Sequence, residues 1–208
     1  MTQTLTRVYN DYASAAAAVE NLKQAGLGDS HIGLVASNAD GWHKPNGGDV
    51  DPKHDKDRDG KDDRSEGAVT GGGMGAIAGG AVGVATGLGM LAIPGVGPVV
   101  ALGWLASLAA GAVAGGAAGG IVGALVESGT SKENAELYAE ALRRGGAIVT
   151  AKVPDDEVVR YGAVMDRSAI DVTKRVEIYR STGWKGYDPA APAYDADLVR
   201  KEREIYRA

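Results

Sequence analysis

Gly71-Gly72-Gly73-Met74-Gly75-Ala76-Ile77-Ala78-Gly79-Gly80-Ala81-Val82-Gly83-Val84-Ala85-Thr86-Gly87 sits inside a run of sixty residues, Gly67 to Val126, that carries no charged side chain. Glycine recurs at every fourth position, first at Gly71, Gly75, Gly79, Gly83 and Gly87, then as Gly103, Ser107, Gly111, Gly115, Gly119 and Gly123. On an α-helix that spacing aligns each set on one stripe, a face without side chains against which another backbone packs closely. Glycine costs about 1 kcal/mol per helical position relative to alanine, so such helices need tight packing on a neighbour. The period predicts two helices, 68–91 and 99–126, turned at Ile93-Pro94-Gly95-Val96-Gly97-Pro98 into an antiparallel glycine-zipper hairpin.

Outward from this block the pattern changes to mixed α and β. Thr4 to Tyr9 is β-branched and aromatic, Ala15, Ala18, Val19, Leu22 and Ala25 share a helical face ending at Gly26, and His31 to Ala36 reads as a short strand. After the block, Thr130 and Glu133 form a capping box before a helix that stops at Gly145-Gly146. Ala147, Val149, Ala151 and Val153 then mark one strongly apolar face of a strand, Pro154-Asp155-Asp156 opens another helix, and Asp171 to Tyr179 reads as a last strand. Joined across the insertion, βαβ followed by αβαβ predicts an α+β fold: a ferredoxin-like α/β sandwich split by the inserted helical hairpin. The expected parts are 1–40 and 127–180 as the two halves of the sandwich, 41–67 as an acidic linker or loop, 68–126 as the hairpin, and 181–208 as a C-terminal arm and helix. The arm carries Trp184, Tyr187 and Tyr194, which need a surface to cover, on this subunit or a neighbouring one.

Composition narrows the function. A net charge of -5 and a pI near 5.2 give no broad basic surface for nucleic acid. The absence of cysteine removes disulfides, thiolate nucleophiles and thiolate metal sites. Met1 to Asn10 has no basic start followed by an apolar run, so a secretory signal is not expected. His31, His43 and His54 fall in a strand start and loops, Gly87-x-Gly89-x-x-Ala92 follows no strand, and no nucleophile elbow or defensible carboxylate pair is present. No small-molecule substrate and no catalytic set emerge, so a non-enzymatic protein is expected. Arg143-Arg144 complements a helix C-terminus, or touches acidic lipid heads or a partner.

Two features point to binding. Asp55 to Glu66 matches a calcium loop by spacing: Asp55, Asp57 and Asp59 at the first, third and fifth positions, the Lys61 carbonyl, Asp63 and a terminal Glu66. Lys56, Arg58, Lys61 and Arg64 oppose a cation, and a solvated mixed-charge linker is the competing reading. The hairpin helices, at about 1.5 Å per residue, exceed a hydrocarbon core of about 30 Å, so the leading expectation is that they self-assemble in or on the inner membrane. The first helix is poor in large apolar side chains, and the flanks lack the basic excess of cytoplasmic membrane ends. The competing reading is a soluble cage, ring or filament whose hairpins bury one another. Both imply a homo-oligomer. A monomer that hides both helices in its own core is disfavoured, because the α/β portion has little spare apolar surface.

Val8-Tyr9-Asn10-Asp11, His31 to Ser37, Leu88 to Pro98, Tyr138 to Gly146 and the tail segments Tyr179 to Trp184 and Tyr187 to Tyr194 together resemble bacterial general stress proteins, also labelled heat-induced or low-temperature-induced proteins. The resemblance covers most of the chain apart from the calcium-like loop. It implies a bacterial, stress-linked, non-enzymatic protein; the lack of cysteine and of a secretory signal places the expected setting at the cytoplasmic face of the inner membrane or in the cytoplasm.

Overall fold

The structure, a computed structural model, describes residues 1–43, 89–93, 96–107 and 120–206. Within them the fold is α+β. The strands are β1 (Thr2–Tyr9), β2 (Ile32–Ser37), β3 (Gly89–Ile93), β4 (Gly97–Gly103) and β5 (Ala147–Pro154), and they form one sheet in the order β1-β5-β2-β4-β3. Every neighbouring pair is antiparallel. The helices are α1 (Tyr12–Gln24), α2 (Gly120–Glu127), α3 (Lys132–Arg143), α4 (Val158–Asp166), α5 (Val172–Ser181) and α6 (Ala196–Ile205).

Strand alternation distributes the core to both faces of the sheet. Tyr9, Leu34, Ala36, Val149, Ala151 and Val153 face α1 and α4, packing with Leu22, Tyr161 and Met165. Val8, Val35, Val99, Ala101 and Ile148 face the other way, toward Ile121 and Leu125 of α2, Leu137 and Leu142 of α3 and Tyr179 of α5. A strand buried on both faces reads as a continuous apolar run, and β2 is buried at all six positions. The helices therefore cover both faces of the sheet.

Side-chain caps fix where most helices begin. Asp11 accepts from the Ser14 amide at 2.8 Å, Asp195 from Leu198 at 2.9 Å, and Asp171 from Thr173 at 3.0 Å. The cap of α3 is Ser131, not Thr130 as the capping-box spacing predicts. Thr130 instead places its hydroxyl 3.3 Å from that of Thr6 in β1. Gly26 and Gly145, at φ +98° and +96°, end α1 and α3 in the left-handed conformation.

Two sequence expectations are corrected. Asp171 to Tyr179 is not a strand, because Asp171 caps α5 and the sheet takes its further strands from β3 and β4 instead. The residues flanking Pro94-Gly95 are not the ends of two helices either. Gly89–Ile93 and Gly97–Gly103 are strands of a β-hairpin, closed by the Val96 amide on the Ile93 carbonyl at 3.0 Å. In the membrane reading this turn would lie a bilayer's width from the body of the protein. Ile93, Val96 and Val99 are instead buried in the same core as Val8, Val35 and Ile148. Leu105, Ile121 and Leu125, from the second expected helix, are also core residues, so the α/β body does have apolar surface to spare for the ends of the uncharged block. Among the described residues no helix is long and apolar enough to cross a membrane.

Gly103 shows why a glycine stripe misleads here. It ends β4 at φ +67°, and a Cβ built on it would lie 2.1 Å from the Ile32 carbonyl oxygen. Gly123, its partner in the period, lies in α2 with nothing within 4 Å of an added Cβ. Gly103→Ala is expected to destabilise the protein by about 2–4 kcal/mol, and Gly123→Ala to stabilise it by about 0.5–1 kcal/mol. Urea unfolding of the two variants measures both. Equal losses would restore the common helical stripe.

Candidate functional site

Of the residues singled out by sequence, Gly71, Gly75, Gly79, Gly83, Gly87, Gly111, Gly115 and Gly119 lie outside the described residues, as do the calcium-loop positions Asp55, Asp57, Asp59, Lys61, Asp63 and Glu66. Ser107 is exposed at the end of the short helix 104–107 that follows β4. Among the described residues no three His, Asp or Glu side chains are grouped to hold a metal ion. His43 closes a loop: its amide donates to the Asn38 side chain at 2.9 Å, and its carbonyl accepts from Asn38 at 2.8 Å. Trp42 stacks on Tyr12 with centroids 4.1 Å apart.

The most concentrated chemistry lies at the C-terminal end of α3, where α5, α6 and the arm at 182–195 converge. The last turns of α3 are buried throughout, from Leu137 to Arg143, because the sheet lies on one side and the C-terminal elements on the other. Glu140 is fully buried there. Its Oε1 accepts from Arg143 at 2.7 Å and from Arg144 Nε at 2.5 Å. Arg144 Nη1 reaches Glu202 of α6 at 2.5 Å, and the Tyr206 hydroxyl donates to the other oxygen of Glu202. Rings fill the remaining space. The Arg144 guanidinium lies 4.3 Å from the centroid of Tyr179, and that of Arg175 lies 3.3 Å from the centroid of Tyr206. Arg175 also donates to Asn10 at 2.6 Å.

Trp184, expected to cover a surface on this subunit or a neighbouring one, packs within this chain. Its ring meets Tyr179 edge-on at 5.8 Å. Arg143 and Arg144 are likewise internal, at 8 % and 6 % exposure, so their guanidiniums are taken by Glu140 and Glu202 rather than by lipid heads. The sequence signal that could have located this network is the i, i+3 and i, i+4 spacing of Glu140 with Arg143 and Arg144 at a helix end. Its partners on α6 lie about sixty residues away and no local pattern links them.

The electrostatics are those of a fixed network. Burial disfavours the Arg144 cation, but the hydrogen bond and charge of Glu140 and the charge of Glu202 outweigh it and raise its pKa. Burial raises the Tyr179 phenol to about 12, and raises Tyr206 further with Tyr179 and Glu202 adding to the effect. The network supplies orientation and cohesion between elements. Beside it, a shallow groove of about 250 Å³ runs between α3 and α5 over Leu137, Val172 and Val176.

No family model, no curated protein and no solved structure matches the chain.

Removing one member of a buried ion pair strands the charge of its partner. Glu140→Ala leaves Arg143 and Arg144 without their shared acceptor and is expected to destabilise the protein by about 3–5 kcal/mol in urea unfolding. The raised phenols make a second prediction. A folded-state pKa above the unfolded value of about 10 contributes stability that is present below pH 10 and lost as the pH climbs toward 12. Tyrosinate absorbance should therefore rise together with the loss of far-ultraviolet circular dichroism across that window. Ionisation of the buried phenols with the fold intact would contradict it.

Proposed function

We propose that the protein is a non-enzymatic bacterial stress protein that self-assembles through its uncharged glycine-rich segments, as a homo-oligomer of α/β bodies rather than as a bundle of membrane-crossing hairpins. The observation that carries this reading is the position of the uncharged block relative to the sheet. β1 and β2 precede the block, β3 and β4 lie within it and β5 follows it, yet all five pair in one sheet. The glycine-rich run Gly67 to Leu88 thus lies in a connection, 44–88, that leaves and rejoins the same body at His43 and Gly89. A single crossing would put these points on opposite sides of a membrane. Twenty-two helical residues reach about 33 Å, enough for one crossing but not for a crossing and a return. Contact between the glycine stripes of several copies satisfies the need for close packing without any crossing.

The same reading takes β1-α1-β2, with β5 between the strands, as the split β-α-β of a ferredoxin-like sandwich, extended by the β3–β4 hairpin on one edge and carrying α5 where a fourth strand was expected. Its stress role rests on the resemblance of the sequence, and its cytoplasmic setting on the lack of cysteine and of a secretory signal.

Gly79→Leu places a branched side chain on the stripe and is expected to reduce the assembly to smaller species while leaving the circular dichroism unchanged. Mass photometry of the soluble fraction, beside carbonate-washed membranes, measures it. An unchanged particle mass would refute the stripe as the contact. Retention of the wild-type protein in washed membranes until detergent is added would refute the non-crossing assembly.

A further inference from the structure

The sheet ends on one side in β1, and the outer edge of that strand is half sealed and half open. Two bonds fix which residues face outward. The Asp155 amide donates to the Met1 carbonyl at 3.3 Å, extending the ladder with β5, and the Ile170 amide donates to the Val8 carbonyl at 2.8 Å from the opposite side. Odd-numbered residues of β1 therefore turn their backbone groups toward β5, and Thr2, Thr4, Thr6 and Val8 turn theirs outward. In keeping with this, Thr2 stands opposite Pro154, which has no amide hydrogen to give.

In the C-terminal half the outward carbonyls are engaged. Ile170 covers Val8, and Arg7 Nη1 donates to the Thr6 carbonyl at 3.0 Å while its Nε is held by Asp166 at 2.5 Å. Thr6 and Val8 are 7 % and 3 % exposed, which withdraws their amides from an incoming strand. Thr2 and Thr4 remain: two amides and two carbonyls without a partner among the described residues. Edges left to water are commonly blunted by a lysine, a proline or a bulge. Thr2 to Leu5 carries neither charge nor proline, and its register against β5 is one to one. The surface beside it is apolar: Leu5 and Val158 are only partly buried on the α1 and α4 core, and Val159 of α4 is 85 % exposed.

We propose that the open half of β1 is a self-pairing edge: Thr2 and Thr4 of one copy bond antiparallel to Thr4 and Thr2 of a second, joining two sheets about a two-fold axis at Gln3. The partner follows from the length of the opening. Two outward residues bounded by a sealed segment offer two donors and two acceptors, and the same stretch of a second copy, reversed, satisfies all of them on both chains. A longer foreign strand would meet the Arg7 and Ile170 seals. The register also sets Leu5 of each copy across from Met1 of the other, which gives the exposed Met1 side chain an apolar neighbour. This contact is separate from the glycine-stripe contact proposed above.

The chain has no cysteine, so one introduced thiol reports alone. In the proposed register position 3 opposes itself in a non-hydrogen-bonded pair, where Cα atoms lie about 4.5 Å apart, inside the disulfide range of roughly 4.4–6.8 Å. The two copies of position 2 lie about 8 Å apart, outside it. Full-length Gln3→Cys and Thr2→Cys are oxidised with diamide, and the linked dimer is followed on non-reducing gels. Gln3→Cys is expected to link about tenfold faster than Thr2→Cys. Adding Thr4→Pro or Thr2→Pro, which removes an outward amide and spares the ladder with β5, is expected to abolish that advantage with circular dichroism unchanged. Gly79→Leu is expected to preserve it. Equal rates at positions 2 and 3 overturn the self-pairing and leave the edge to an extended segment of another protein. A Gln3→Cys link that persists in a folded proline variant overturns it as well. Loss of the link in Gly79→Leu does the same, because the contact would then belong to the glycine-rich run.

Discussion

The architecture depends on one strand. β5 pairs antiparallel with β1 along one edge and with β2 along the other, in register over Ala147 to Ala151 on both sides. Ile148 faces one core and Val149 the other, and both are completely buried. Without β5, β1 and β2 would be parallel strands separated by an empty slot, and neither helical layer would have a continuous surface to cover. The stretch from 38 to 146 must therefore begin and end beside the same strand. That stretch is no free loop, because β3, β4, α2 and α3 fall within it and pack back onto the sheet that β5 completes.

The two layers are held differently. On the α1 and α4 side, the packing is apolar, with small alanines from α1 set against aromatic Tyr9 and Tyr161. The Tyr9 hydroxyl finds the Met165 carbonyl at 3.0 Å. On the other side, an apolar centre gives way at the end of α3 to guanidiniums, carboxylates and tyrosine rings. Such a network fixes geometry more than it adds stability, because desolvation offsets most of the Coulombic attraction. That division leaves one side of the molecule as a conventional core and makes the other sensitive to single charge changes.

Much of the body could be read from the sequence. The helical face from Ala15 to Leu22 and its glycine stop, the alternation through β5, and the charged helix after Asp195 all follow from local periodicity and capping. The failures have physical causes. Val172, Val176 and Tyr179 fit a helical stripe as well as the β-branched composition fits a strand, and the Asp171 cap decided for the helix. Around Pro94, the four-residue glycine period competed with Val99, Val100 and Ile93, which favour strands. Long-range pairing with β2 prevailed. The network at α3 was legible only in its local half, Glu140 with the two arginines. What α6 brings to it is set by tertiary structure.

The late position of β5 in the chain also shapes biosynthesis. At about 5–20 residues per second, a ribosome that has released β2 needs on the order of ten seconds to deliver the strand that fills the gap between β1 and β2. During that interval the uncharged glycine-rich run emerges into the cell beside a half-built sheet with two unpaired inner edges. Nascent copies on one polysome are then at high local concentration, each presenting the same unpaired strand edges. The inner edges of the sheet thus stay open through the middle of translation, from the end of β2 at Ser37 until β5 begins at Ala147.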